Sequence, residues 1–176
     1  MKNVTYILRL TLTLLLITAC VALALAGVNA ITKDKIAAAQ QEKIQAAMKE
    51  VLPGYDGFAE VDFTGDQTVK AVYRPAGADD VYVAEVAPMG FGGEITLMVG
   101  VKDGQVTGIS VVSQSETAGL GAVAADKTPK GEAFRDQYVG KSGTLLVGTH
   151  IEAITGATIT SKAVTDGVNA ALAVKF

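Results

Sequence analysis

The sequence predicts an α+β protein: one N-terminal transmembrane helix, then a domain with a mainly antiparallel sheet flanked by helices. Three observations carry this. From Leu10 to Ile31 no residue is charged, a run of 22 residues. At about 1.5 Å per residue such a helix reaches roughly 33 Å, enough to cross a bilayer core. Between residues 58 and 113, Val- and Ile-rich runs alternate with short Gly and Asp turns. No helix long enough for a parallel crossover separates them. Helical spacing then returns toward the C-terminus. The predicted organisation is a transmembrane anchor over 1–31, a connecting helix over 32–52 and the main domain over 53–176.

The connecting helix is read from Lys33 to Leu52. Ile36, Ile44, Met48, Val51 and Leu52 form an apolar face at helical spacing, and Gln40, Gln41, Glu42 and Lys49 form the wet face. Pro53-Gly54 ends it. It either continues the membrane helix or hinges from it near Asn29 to Thr32. Residues 58–64 and 68–74 are predicted to pair as a hairpin around Gly65-Asp66-Gln67. A short Val-rich strand is expected over 81–87. Ile95, Leu97, Val99 and Val101 alternate with Glu94, Thr96, Met98 and Gly100, a half-buried strand with one apolar face. Asp103-Gly104 turns it into a strand over 105–113. A short helix is predicted over 132–139, with Phe134 and Tyr138 four apart as core residues. A strand over 144–147 and a helix from about Ser161 to Val174 complete the chain. In that helix Val164, Val168 and Leu172 face inward.

Composition excludes several functions. The chain has 176 residues and a single cysteine, Cys20, within the apolar run. An intrachain disulfide, a cysteine-ligated iron–sulfur cluster and a cysteine-type zinc site are therefore ruled out. A redox role would need an organic carrier or one held by a partner. Without Lys2 and Arg9 the rest of the chain carries 13 basic and 18 acidic residues. That net charge of −5 argues against nucleic acid as a partner.

The apolar run has three readings. It is a retained anchor, a cleaved signal ending at Val28-Asn29-Ala30, or a lipoprotein signal with Ile17-Thr18-Ala19-Cys20 as the modified segment. The run exceeds the ~7–15 residues of a signal core. It also continues eleven residues past Cys20. Both facts favour the retained anchor, with Cys20 simply a buried thiol in a helix. Lys33, Lys35 and Lys43 on one flank offset Lys2 and Arg9 on the other, so the positive-inside rule is nearly silent.

The densest chemistry lies in Glu152-Ala-Ile-Thr-Gly-Ala-Thr158-Ile-Thr-Ser161. Four hydroxyl residues there can cap the free amides of a following helix. The same geometry suits a phosphate, because those amides and the helix dipole favour an anion. Spacing alone leaves both readings open. His150, the only histidine, fits a surface or packing role, with a redox-linked proton role as the alternative. No general acid–base pair or catalytic triad is visible.

Thr155-Gly156-Ala157-Thr158 resembles the (Ser/Thr)-Gly-Ala-Thr flavinylation motif of bacterial FMN-binding domains. Those domains occur in the G subunit of the Rnf electron transport complex and the C subunit of the sodium-pumping NADH:quinone reductase. Ser115-Glu116-Thr117-Ala118-Gly119-Leu120-Gly121 is similar to a Ser-Glu-Thr-Pro-Gly-Leu-Gly loop of that family, with Ala118 in place of Pro. Gly90-Phe91-Gly92-Gly93 is similar to a family segment that often reads Gly-Tyr-Gly-Gly. The three occur in the family's order. Glu152 stands where the family usually has Asp, six residues before the modified Thr.

The resemblance implies a covalent FMN, joined through its phosphate to Thr158 by a flavin transferase. It implies that Thr155, Gly156 and Ala157 form the turn that holds the phosphate; Thr160, Ser161 and Lys162 at the helix N-terminus are placed to help, with a solvated surface charge as the alternative for Lys162. It also implies that Glu116, Thr117, Gly119 and Leu120 lie against the flavin ring. The expected protein is the G subunit of an Rnf-type ion-translocating ferredoxin:NAD oxidoreductase. It would be a single-pass membrane protein with its soluble domain outside the cytoplasm, relaying electrons between other membrane subunits. The alternatives are the C subunit of the quinone reductase, a stand-alone extracytoplasmic reductase, and an anchored non-redox module whose Thr-rich turn only caps a helix.

Overall fold

The computed structural model describes residues 2–78 and 80–176. Helix α1 runs without a break from Lys2 to Val51, so no hinge forms at 29–32. The chain divides into two units, residues 1–42 and 43–176. The first unit is the N-terminal part of α1. Its large apolar residues between Tyr6 and Ile36 are exposed, and the helix is long and apolar enough to cross a membrane. Such a surface is stable only against other apolar matter.

The second unit holds a five-stranded antiparallel meander. Its strands are β1 (Ala59–Glu60), β2 (Val69–Arg74), β3 (Val81–Val86), β4 (Thr96–Lys102) and β5 (Gln105–Ser113), in the order β1-β2-β3-β4-β5. The β4–β5 hairpin turns through Asp103-Gly104, both at positive φ (52° and 73°). That conformation matches the twist of paired strands. Two further helices follow, α2 (Pro129–Asp136) and α3 (Thr158–Leu172), with a 3-10 turn at Gly121–Ala124.

Each face of the sheet is covered. Val72, Ala84, Val86, Leu97, Val99 and Val101 pack against Val164, Val168 and Ala171 of α3 and against Phe134 and Tyr138. On the other face Val81, Val83 and Met98 meet Ala47, Met48, Val51 and Leu52 at the end of α1. Alternation predicted one apolar face for β4, but Met98 is buried as well. Gly100 explains how the helix end comes so close. A Cβ there would stand 2.6 Å from the Val51 carbonyl oxygen. The Thr107 hydroxyl donates to that same oxygen at 2.6 Å.

Several boundaries differ from the sequence reading. Only Ala59–Glu60 of the expected 58–64 strand joins the ladder, although the Val61 N–H still donates to Val72. Thr64 pairs instead with Lys175 near the C-terminus. Helix α2 begins three residues before the predicted Glu132, because Thr128 caps it and Pro129 opens it. Residues 144–147 form no strand. Asn169 takes both backbone groups of Leu145, accepting its N–H at 2.8 Å and donating to its C=O at 2.9 Å. Phe134 and Tyr138 are core residues in edge-to-face contact, with centroids 5.6 Å apart.

Candidate functional site

Helix α3 starts at Thr158, three residues earlier than the periodicity suggested, so Thr158, Thr160 and Ser161 lie in its first turn and Thr155 lies in the turn before it. Gly156 makes the entry possible. Its φ of +79° is a left-handed value, and an added Cβ would lie 3.1 Å from a Leu120 methyl. Ala157 occupies the N-cap and no side chain caps the helix. The Ala157 carbonyl accepts from the Ser161 N–H at 2.9 Å. The amides of Thr158, Ile159 and Thr160 precede that bond, the usual state of first-turn donors.

The hydroxyl groups do not serve as caps. Ser161 is buried, donates to Ala157 O at 2.9 Å and accepts from Ile154 N–H at 3.0 Å. It stitches the turn to the helix and does not line the neighbouring cleft. Thr160 is buried, and its hydroxyl donates to the carboxylate of Glu116. Thr158 is exposed and opens onto the cleft. Side-chain capping of α3 by the motif is thus absent.

The cleft has a volume of about 360 Å³. Thr117, Leu120, Gly121, Gly156, Ala157 and Thr160 line it, together with Glu116 and Thr158. Phe91 and Ile159 complete the wall; the sequence reading assigns neither of them, nor Gly121, to the site. Phe91 sat in the Gly90–Gly93 segment already singled out. Ile159 was an unexplained apolar residue within a run of hydroxyls. Both are exposed, at 69% and 55%.

Other expected residues lie elsewhere. Gly119 forms the turn before Leu120 at φ +74° but does not line the cleft. Lys162 is exposed and also outside it. Thr155 is exposed and faces a second hollow of about 380 Å³, shared with Lys130, Phe134, Gln137 and Glu152. The Gln137 amide grips the Glu152 backbone, accepting its N–H at 2.7 Å and donating to its C=O at 3.3 Å. His150 is exposed, and its Nδ1 accepts from the Leu146 N–H at 3.0 Å. That contact closes a surface turn. Among the described residues no cluster of His, Cys, Asp or Glu could hold a metal.

These groups fit a flavin nucleotide. The cleft is at the small end of the range for ligand sites and is largely apolar, which suits a flat ring held with an edge in solvent. Leu120, Phe91 and Ile159 supply the apolar walls. The bare first turn of α3 beside Thr158 suits a phosphate.

Comparison with known proteins agrees on the class. The model of the FMN-binding domain family matches residues 90–173, a span that contains every residue lining the cleft. That of the RnfG N-terminal region matches residues 1–51. The G subunit of the Na(+)-translocating ferredoxin:NAD(+) oxidoreductase complex of Acetobacterium woodii is 34% identical over 150 residues, covering 76% of this chain and 70% of that protein. The G subunit of the ion-translocating oxidoreductase complex of Methanosarcina acetivorans is 32% identical over 140 residues, 74% of this chain and 72% of its own length. Its counterpart in Aliivibrio fischeri is 32% identical over 109 residues, about half of each chain. The chain belongs to the RnfG family, the G subunits of ion-translocating oxidoreductase complexes. It is an FMN-binding redox subunit, and among the described residues one helix is long and apolar enough to cross a membrane.

Proposed function

We propose that this chain carries FMN as a phosphodiester on Thr158 and relays electrons within an Rnf-type ferredoxin:NAD oxidoreductase that moves ions. The observation that supports it most is the position of Thr158. It is an exposed hydroxyl at the first residue of α3, at the edge of the apolar cleft and beside amides that no side chain caps. In the attachment step the Thr158 oxygen displaces the other half of an activated flavin phosphoanhydride and loses its proton. A flavin transferase supplies that donor and reads the surface around Glu152 and Thr155. One negative charge remains on the phosphodiester. The α3 dipole and amides stabilise it, with the solvated charge of Lys162 a weaker aid.

Bound FMN supplies the electron chemistry, and the protein supplies position and field. The Glu116, Thr117 and Leu120 loop and Phe91 hold the ring. Gly119 shapes that loop's turn. The domain works on the extracytoplasmic side, where a tether prevents loss of a cofactor that is hard to replace. The membrane subunits of the complex are its partners.

Flavin fluorescence on a denaturing gel tests the linkage. The native protein is expected to fluoresce, and Thr158→Ala to be folded and dark. A fluorescent Thr158→Ala band would refute the assignment. A dark native band from cells that flavinylate other proteins would refute the covalent reading altogether.

A further inference from the structure

Glu116 is buried at 8% exposure. The Gly92 N–H donates to Oε1 at 2.7 Å, and the Thr160 hydroxyl donates to Oε2. Two donors thus face its two oxygens, one on each. Neither of the ion pairs found among the described residues, Lys49–Asp56 and Lys70–Glu94, involves it.

The surrounding backbone is shaped to admit this side chain. A Cβ at Gly90 would stand 2.5 Å from Oε1, and one at Gly121 would stand 2.6 Å from Oε2. Three separate segments, 90–93, 115–121 and 158–160, therefore meet at one carboxylate. Burying a carboxylate is costly, and hydrogen bonds offset the cost only in part. Leu97, Val99 and Val101 show that the same fold buries apolar residues freely. The carboxylate ties these segments together and also places a negative charge at the cleft wall.

We propose that Glu116 sets the redox potential of the flavin by its negative charge. This rests on the reading that the cleft holds FMN. A fixed anion at the wall disfavours negative charge arriving in the cleft, so it lowers the potential at which electrons are accepted. Its two hydrogen bonds hold the charge in place and temper its field. Glu116 is a positioning and electrostatic residue; it exchanges no electrons itself.

The test is spectroelectrochemical titration of the full chain, purified with its flavin, in native and variant forms. Glu116→Gln keeps the side-chain shape and removes the charge. The expected result is a reduced-to-oxidised ratio about tenfold higher at a fixed applied potential, which is about 30 mV for a two-electron couple. Thr160→Val keeps the carboxylate but removes one donor, so the shift should have the opposite sign. A loaded Glu116→Gln protein with the native potential overturns the proposal. If Glu116→Gln does not fold or load, Thr160→Val decides alone: a potential at or above the native value overturns it. A native protein without flavin would instead refute the reading of the cleft.

Discussion

The contact between the 90–93 and 115–116 loops can be broken with one methyl group. In Gly92→Ala the new Cβ would overlap Ser115 O and stand 2.8 Å from Ser115 C. Both atoms are backbone, so no side-chain rotation relieves the overlap. Carbon contacts settle near 3.5 Å, so the loops must part by about 1 Å. The 2.7 Å bond from the Gly92 N–H to Glu116 then fails. A hydrogen bond to a charged group is worth about 1.5–3 kcal/mol, and the exposed Gly92 amide recovers part of this by hydration. With the backbone overlap adding about 1 kcal/mol of strain, the expected loss is about 2–3 kcal/mol, or roughly 8–12 °C in Tm for a domain of this size. Gly119→Ala is the matched control. Its φ is +74° with nothing within 4 Å, so only backbone strain applies, about 1 kcal/mol or roughly 4 °C. Thermal melts of the full chain in detergent, followed by circular dichroism, compare the two. Gly92→Ala melting no lower than Gly119→Ala would refute the reasoning.

Asn169→Ala removes both bonds to the Leu145 backbone and should cost about 2–3 kcal/mol, read as a fall in the urea midpoint. Gly100→Ala sets a methyl against the Val51 carbonyl and should loosen the end of α1, seen as faster proteolysis around residues 52–57. Burial first, and then the Glu85 charge, push the Tyr73 phenol up from 10.0 to about 12. The folded state then holds this proton more tightly than the unfolded one, so stability is complete below pH 10 and falls as pH rises from 10 to about 12. Tyr82 and Tyr138 are raised as well, by burial, and act in the same direction. Tyr73→Phe should flatten the alkaline slope of the urea midpoint, and an unchanged slope would show that Tyr73 does not contribute.

Elements with local physics behind them were legible in the sequence. The 22-residue uncharged run, the Asp103-Gly104 hairpin and the α3 stripe of Val164 and Val168 depend on length, turn chemistry and periodicity, which neighbours in the chain fully specify. The segments at 90–93, 115–121 and 155–158 also resemble a flavin family on sequence alone. Every assignment that depends on a distant partner needed the folded chain. Residues 144–147 read as a strand, but Asn169 takes both backbone hydrogen bonds of Leu145. Met98 looked exposed until α1 covered it. Ser161 and Thr160 looked like interchangeable caps, yet one holds a turn and the other binds Glu116 from 44 residues away. Phe91 and Ile159 joined the cleft only once two remote segments met. A hydroxyl or an apolar side chain carries no mark in sequence of which remote group will satisfy it, because that depends on where folding brings its partners.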